Sequence, residues 1–310
     1  MDAKRRALLL AGLASAGATK AWAQPSVARA PEIEAPDTLT DPDTRLDVAF
    51  DQHDHMTAPV TINGAGPYPF LIDTGSNVSC VSTRLAADLQ LQAGPVTRVH
   101  TAVGAKLRPS VVIDRLQVGA RNRRSVKAPS LPLWSGDQSG VLGVDWLKGQ
   151  RLALDFKSKS VEIGKSRTDQ SKEGQIVVGA RRRHGQLTIV DADMNPTRIS
   201  AMIDSGSEIT ICNDALRAIV DAKVNTYERR QMIGLETLAG ESFRGQMIYL
   251  PFLRLGGLQL GNVPAAHVNM HIFKLWDLDD RPALILGMDL LRQFSCVTLD
   301  FGRSTVRFDV

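Results

Sequence analysis

Two acidic residues stand in matching surroundings. Asp73 lies in FLIDTGS at 70–76 and Asp204 in AMIDSGS at 201–207, an offset of 131 positions. Each ends an apolar run and precedes a small hydroxyl residue, a glycine and a serine. A lone carboxylate on such a turn is a weak base. Two carboxyls brought together cannot both ionise cheaply, so the pair shares a proton and titrates in two separated steps. One member then serves as a base toward water and the other as an acid toward a carbonyl oxygen. One copy supplies half a catalyst, and two supply acid and base.

The flanking residues fit that task. Gly75 and Gly206 permit a sharp turn and a close backbone approach that a side chain would block. Thr74 and Ser205 place hydroxyls where they can bond backbone across a two-fold axis and keep the loops together. Ser76 and Ser207 are expected to hydrogen-bond the outer carboxylate oxygens and fix their orientation.

Such loops need strands to hold them, and the chain reads as mainly β. Runs such as VTING, PYPFLI, RPSVVIDRLQVG, RLALDF and SVEIG alternate or are β-rich and break at glycine or a turn, without a long helical period. After the polar stretch GKSRTDQSKEGQ the pattern restarts with GQLTIV and ends in CVTLDFGRSTVRFDV. The halves repeat each other. GVLGVDWL at 140–147 matches LILGMDLL at 284–291 with Gly143 and Gly287 offset by 144, and LALDF matches VTLDF at 145. The offset exceeds 131 by 13, which places an insertion in the second half around HIFKLWDLDDR. A short helix is expected near 288–294.

The organisation read from the chain is a leader at 1–23, a Pro-rich acidic linker at 24–45, a lobe at 46–163, a second linker at 164–175 and a second lobe at 176–310. The leader has Lys4, Arg5 and Arg6 before ALLLAGLASAGA and then the small-x-small site AWA, the layout of a secretory signal. Its apolar run is shorter than the ~20 residues that span a bilayer. Removing the signal therefore leaves no expected membrane span. The arginine pair resembles a twin-arginine signal, with Lys4 where Ser or Thr is usual. Export, to a bacterial periplasm, is expected by that route or the general secretory one.

The formal charge is +4 over 310 residues. Residues 1–23 hold four of the 37 basic and one of the 33 acidic residues, so the remainder carries 33 against 32, a net of +1. A polyanion partner such as nucleic acid is not favoured. Cys80, Cys212 and Cys296 are too few for a disulfide framework and fit no zinc spacing; they read as small core residues.

The doubled Asp-Thr/Ser-Gly-Ser after an apolar strand, each followed 70 or 83 residues later by apolar-Leu-Gly, resembles the aspartic proteases of the pepsin and retropepsin clan. VTINGAGPYPFLIDTGS and ILGMDLLRQFSCVTLDF look closest to retropepsin-like enzymes, here fused as a single bacterial-type chain with one unit per half. The resemblance implies an all-β, two-lobed acid-protease fold with pseudo-two-fold symmetry and a short helix after each Leu-Gly motif. It implies that Asp73 and Asp204 are the catalytic pair of an endopeptidase acting on a protein or peptide substrate. It also implies no metal and no organic cofactor. A monomer is expected, because both half-sites lie on one chain. Hairpin flaps belong to the same clan, and the candidates are HTAVGAK, with Thr101, Ala102, Val103 and Gly104, and ETLAGES, with Leu238, Ala239 and Gly240. Neither carries the Tyr of the pepsin flap. The alternative of a different class is a catalytically inactive peptide- or protein-binding module on the same fold, and a third is a structural envelope protein.

Other polar clusters have blander readings. His53 and His55 in DQHDH read as an exposed lead-in to a strand rather than metal ligands. His267 and His271 lie in a β-rich stretch, where a spacing of four does not make helical ligands. Arg121, Arg123 and Arg124 read as a solvated hairpin turn, and 181–184 as another exposed turn. Asp145 and Asp289 look like helix N-caps, and Asp155 and Asp300 look structural.

Overall fold

The computed structural model describes residues 10–11, 43–51, 55–132, 138–147, 149–168, 172–183, 186–223 and 231–310, with the backbone alone at 10–11, 183, 186–190 and 223. Strands dominate throughout, and the fold is two-lobed and all-β.

Each lobe holds its acidic loop in the same way. In the first, Gly140–Leu142 lies between Ala65–Ile72, parallel to it, and Cys80–Ser82, antiparallel. In the second, Ala283–Leu286 lies between Thr197–Ile203 and Ile211–Cys212 with the same orientations. Parallel central strands are buried on both faces and so read as continuous apolar runs. Phe70, Leu71 and Val141 are buried, as are Met202, Ile203, Ile285 and Leu286. Burying such a side chain contributes about 1.5–3 kcal/mol each, which fixes where each strand ends and its Asp begins.

The repeated Leu-Asp-Phe segments pair with one another. Gln150–Asp155 runs antiparallel to Cys296–Asp300, with Leu152 opposite Leu299 and Leu154 opposite Val297. Around them, Gln175–Arg183 and Thr305–Asp309 from the second half and Ser160–Lys165 and Thr44–Asp47 from the first complete a stretch of sheet shared by both halves. Of the leader, Leu10–Ala11 forms a two-residue strand antiparallel to Thr97–Thr101; the remainder of 1–42 lies outside the described residues, as does His53.

Helices are short. A 3-10 turn, Val144–Trp146, follows the first Leu-Gly and helix Met288–Leu291 the second. Helix His271–Leu275 occupies the stretch expected to be the insertion. Thr83–Asp88, capped by the Ser82 hydroxyl accepting from Leu85 N at 3.0 Å, and Asp214–Lys223 were not anticipated. One to three turns give too little periodicity to stand out from flanking strands.

The Leu-Gly motifs have a steric reason. A Cβ on Gly143 would meet the Ser76 carbonyl oxygen at 2.8 Å, and one on Gly287 would meet the Ile209 carbonyl carbon at 2.3 Å. Both glycines have negative φ, so contact rather than backbone conformation demands glycine. Their neighbours carry the acidic loops: Leu142 O accepts from Asp73 N and Leu286 O from Asp204 N, each at 3.0 Å. We expect Gly143→Ala and Gly287→Ala each to destabilise the fold by about 1–3 kcal/mol through overpacking, the second more than the first. A lower urea midpoint at constant slope checks this, and a neutral Gly287→Ala would refute it.

Candidate active site

The carboxyls of Asp73 and Asp204 meet across the two-fold, and the glycines show how closely. A methyl on Gly75 would fall 2.5 Å from the Asp204 carboxyl carbon, and one on Gly206 would fall 2.5 Å from that of Asp73. Each acid is therefore packed against the turn of the other. Gly75 N and Ser76 N donate to Asp73 Oδ1 at 2.8 and 3.0 Å, and Gly206 N donates to Asp204 Oδ1 at 2.9 Å. Neither Oδ2 accepts from any protein donor among the described residues. The two carboxyls lie close enough for the Asp204 charge to act directly on Asp73. A hydrogen bond between two such acids needs a shared proton.

Both residues are 1% exposed. Burial raises the Asp73 carboxyl well above the usual carboxylate range, and the neighbouring Asp204 charge raises it further, against the Gly75 and Ser76 amides. Burial also raises Asp204, with Gly206 N opposing. The environment thus disfavours the dianion and retains a proton on the pair.

Hydroxyls cross the axis as expected for Thr74 and Ser205. Thr74 Oγ1 donates to Ile203 O at 3.0 Å and accepts from Ser205 N at 3.0 Å; Ser205 Oγ donates to Ile72 O at 2.8 Å and accepts from Thr74 N at 3.1 Å. The expectation for Ser76 and Ser207 needs correction. Their hydroxyls donate to Val78 O and Ile209 O at 2.9 and 2.8 Å rather than to the carboxylates. Each closes its own loop, and backbone amides orient the acids instead.

Asp145 and Asp289 are not N-caps, because Gly143 and Gly287 hold those positions. Asp145 Oδ1 accepts from Ser79 N and Ser79 Oγ at 3.0 and 2.8 Å, and Asp289 Oδ1 accepts from Thr210 Oγ1 at 2.8 Å. Ser79 Oγ and Thr210 Oγ1 then accept from Gly143 N and Gly287 N at 3.0 and 3.2 Å. The sequence signal was the shared offset of 131 between Ser79 and Thr210 and of 144 between the two acids. Burial pushes the Asp145 carboxyl up to about 6.

Both flap candidates are hairpins. Thr97–Thr101 pairs with Ala105–Arg108, and Met232–Glu236 with Ser242–Leu255. Gly240 turns with φ +76, and Val103 is exposed. Thr101, Ala102, Leu238 and Ala239 are buried, so the tips are docked rather than standing open.

Several peripheral readings change. His55 is fully buried against Asp51, Nδ1 to Oδ2 at 3.1 Å, not exposed. Arg121 is buried too, bonded to Gln150 and to Ile163 O at 3.1 Å, because the hairpin after Gly119 folds under the shared sheet. Arg123 stacks over Trp146 at 4.9 Å. Arg181 is exposed, while His184 lies outside the described residues. His267 bonds Asp214 at 2.5 Å, and His271 opens a helix next to the first hairpin. Asp300 accepts from Ser166 Oγ at 2.6 Å and from Arg303 N at 2.8 Å, and Asp155 from Ser158 N at 2.7 Å, so both are structural. No disulfide joins Cys80, Cys212 and Cys296, and the first two are buried. Among the described residues no cluster of His, Cys, Asp or Glu suits a metal ion, and no helix is long and apolar enough to cross a membrane.

Paired acidic loops on a two-lobed β fold define the architecture of an acid protease. The chain matches the Aspartyl protease family over residues 58–146 and 190–290, one segment in each half and together more than half its length, and it belongs to that family. Its two halves are retropepsin-like. No curated protein matches it.

The raised carboxyls set a stability dependence. In the unfolded chain an Asp ionises near ~3.9, whereas the folded pair holds its protons to higher pH. The stability contributed by protonated Asp is complete below that value and is lost as pH rises toward the folded values. Asp204→Asn, which keeps an acceptor for Gly206 N and removes the charge, should raise the melting temperature at pH 7 by about 2–4 °C or more, with a smaller gain at pH 4. Calorimetry at the two pH values tests this; an equal or reversed difference would show that burial of the pair carries no charge penalty.

Proposed function

We propose that the protein is an exported aspartic endopeptidase that works as a monomer, cleaving an extended segment of a protein substrate between its lobes. The reciprocal packing of each carboxyl on the opposite glycine carries this reading, since it presents one proton to two acids. A water between Asp73 and Asp204 loses a proton to the ionised carboxylate as its oxygen attacks the peptide carbonyl carbon. The protonated carboxyl passes its proton to the carbonyl oxygen, which gives a neutral gem-diol. One acid then accepts a diol proton while the leaving nitrogen takes the other acid's proton. The carbon–nitrogen bond breaks, and the pair is left singly protonated.

Other residues have supporting roles in this scheme. Thr74 and Ser205 hold the loops together, and the Gly75, Ser76 and Gly206 amides aim the inner oxygens. The hairpins carrying 101–104 and 238–240 cover the substrate and exclude water. Retention of the family's site chemistry on both halves supports activity over a binding module. The leader's basic–apolar–small layout supports export, to a periplasm in a bacterial cell.

Purified protein should cleave unfolded polypeptide substrates with a bell-shaped pH profile, because both the dianion and the doubly protonated pair are inactive. Asp73→Asn and Asp204→Asn should each lower kcat by about 10²–10⁴-fold or more with the fold intact. Cleavage surviving either replacement sinks the shared-proton mechanism. Peptide binding without cleavage by the wild type selects the binding module instead.

A further inference from the structure

The hairpin tips are exchanged between lobes. Leu238, from the second lobe, is fully buried in a cluster of first-lobe side chains: Leu71, Cys80, Val99, Leu131 and Val141. Ala102, from the first lobe, is fully buried in a cluster that includes Met202, Ile209, Ile211 and Ile285 of the second. These clusters flank the acids, since Leu71 and Met202 each precede an Asp by two positions, and the Asp73 charge acts on the Cys80 thiol. Each tip therefore fills an apolar pocket beside the pair.

Polar contacts between the lobes secure this arrangement. His100 Nδ1 lies 3.0 Å from His271 Nε2, and the rings stack with centroids 5.3 Å apart and 10° between planes. His271 N donates to Ala102 O at 2.8 Å. On the other hairpin, Glu241 receives Thr101 Oγ1 at 2.5 Å and pairs with Lys106 at 2.5 Å.

We propose that the stacked His100–His271 pair is a proton-operated latch that keeps both hairpin tips docked in the opposite lobe, and that acidification releases them. Two ring nitrogens 3.0 Å apart form a hydrogen bond when one carries a proton and the other a lone pair; when both are imidazolium, they are like charges in contact. The remaining charged groups around His100 offer little relief. Arg98 is on its own strand, Lys106 on the return strand, and Lys274 is exposed farther along the helix of His271. Among the described residues, the anion that contacts this hairpin is Glu241, and it is already engaged by Lys106 and Thr101. The Leu10–Ala11 strand that also borders His100 has no ionisable side chain. His100 is only 7% exposed, and its Nε2 is buried with no hydrogen-bond partner among the described residues, so a second proton there would lack both water and an acceptor. Burial, then His271, then Arg98 hold its basicity down. The docked state is therefore favoured above the range where an unconstrained imidazole titrates and is lost as pH falls through it.

The consequence for catalysis rests on the proposed peptidase function, but the latch does not. Docked tips fill the apolar ground beside the acids, so release at acid pH would open that ground to an extended substrate.

Hydrogen–deuterium exchange tests the latch without substrate. The full chain carrying Asp204→Asn, in which the acid pair cannot act, is compared at about pH 7.5 and about pH 5 after correction for intrinsic rates. Amides in 99–105 and 236–242 should exchange about tenfold faster or more at the lower pH, while the shared sheet stays protected. Adding His271→Gln, or His100→Gln if the first variant does not fold, should remove most of that pH dependence. Unchanged protection of the hairpins in Asp204→Asn overturns the latch whether or not either histidine variant folds. So does an equal acid response in a folded histidine variant. An absence of peptidase activity affects neither readout.

Discussion

The structure depends on holding two carboxyls together out of water. Each is 1% exposed and packed on the other's glycine, so the folded state bears both desolvation and mutual repulsion. That cost has to be offset by interactions that do not yield when the loops repel. The Thr74–Ser205 exchange does this directly. Each hydroxyl donates to a carbonyl at the base of the opposite acidic strand and accepts from the opposite loop's amide. Separation of the loops would leave those donors and acceptors buried without partners, at about 1–3 kcal/mol for each unsatisfied group. Behind them, the pairing of the two Leu-Asp-Phe strands joins the lobes by backbone hydrogen bonds.

Having both halves on one chain lets them diverge, and the divergence lies where symmetry is not needed. The central strands, the Leu-Gly contacts and the Asp145 and Asp289 ties are near copies. The hairpins differ. One seats Ala102 and the other the larger Leu238, and among the described residues only the second half has the helix that brings His271 to His100. A dimer of identical subunits would have to place any such histidine twice. In this chain the imidazole pair is made of one residue from each half.

The sequence was most informative where function forces a local pattern. The acids, glycines and Leu-Gly motifs recur because each must end a strand or admit close backbone contact, and the duplicated order located both halves. The hairpins were legible because a tight turn between short β runs needs glycine or a similar residue. Partners in space were not. That the Ser76 hydroxyl turns to Val78 O while backbone amides take the carboxylate depends on the loop's closed shape. Arg121 looked like surface because it follows Gly119 where the second half has the turn of GGLQLGN, yet its side chain reaches Gln150 and Ile163 under the sheet. Likewise His100 and His271 are 171 residues apart and mean nothing separately.

Closure of the hairpins and the proton affinity of the acid pair are coupled. Burial is the largest influence raising both carboxyls, and the docked tips contribute to it by filling the apolar ground beside them. Undocking admits water, stabilises the charged forms and lowers the pair's proton affinity. By linkage, ionising the pair must then favour the undocked state to the same degree. The histidines act with the opposite sign, because their charging opposes docking. At low pH the imidazoles drive the tips out while the protonated acids favour closure. At high pH the imidazoles favour docking while a dianion opposes it. The two titrations thus restrain one another, and the hairpins respond to acid only where charging of the imidazoles outweighs protonation of the pair.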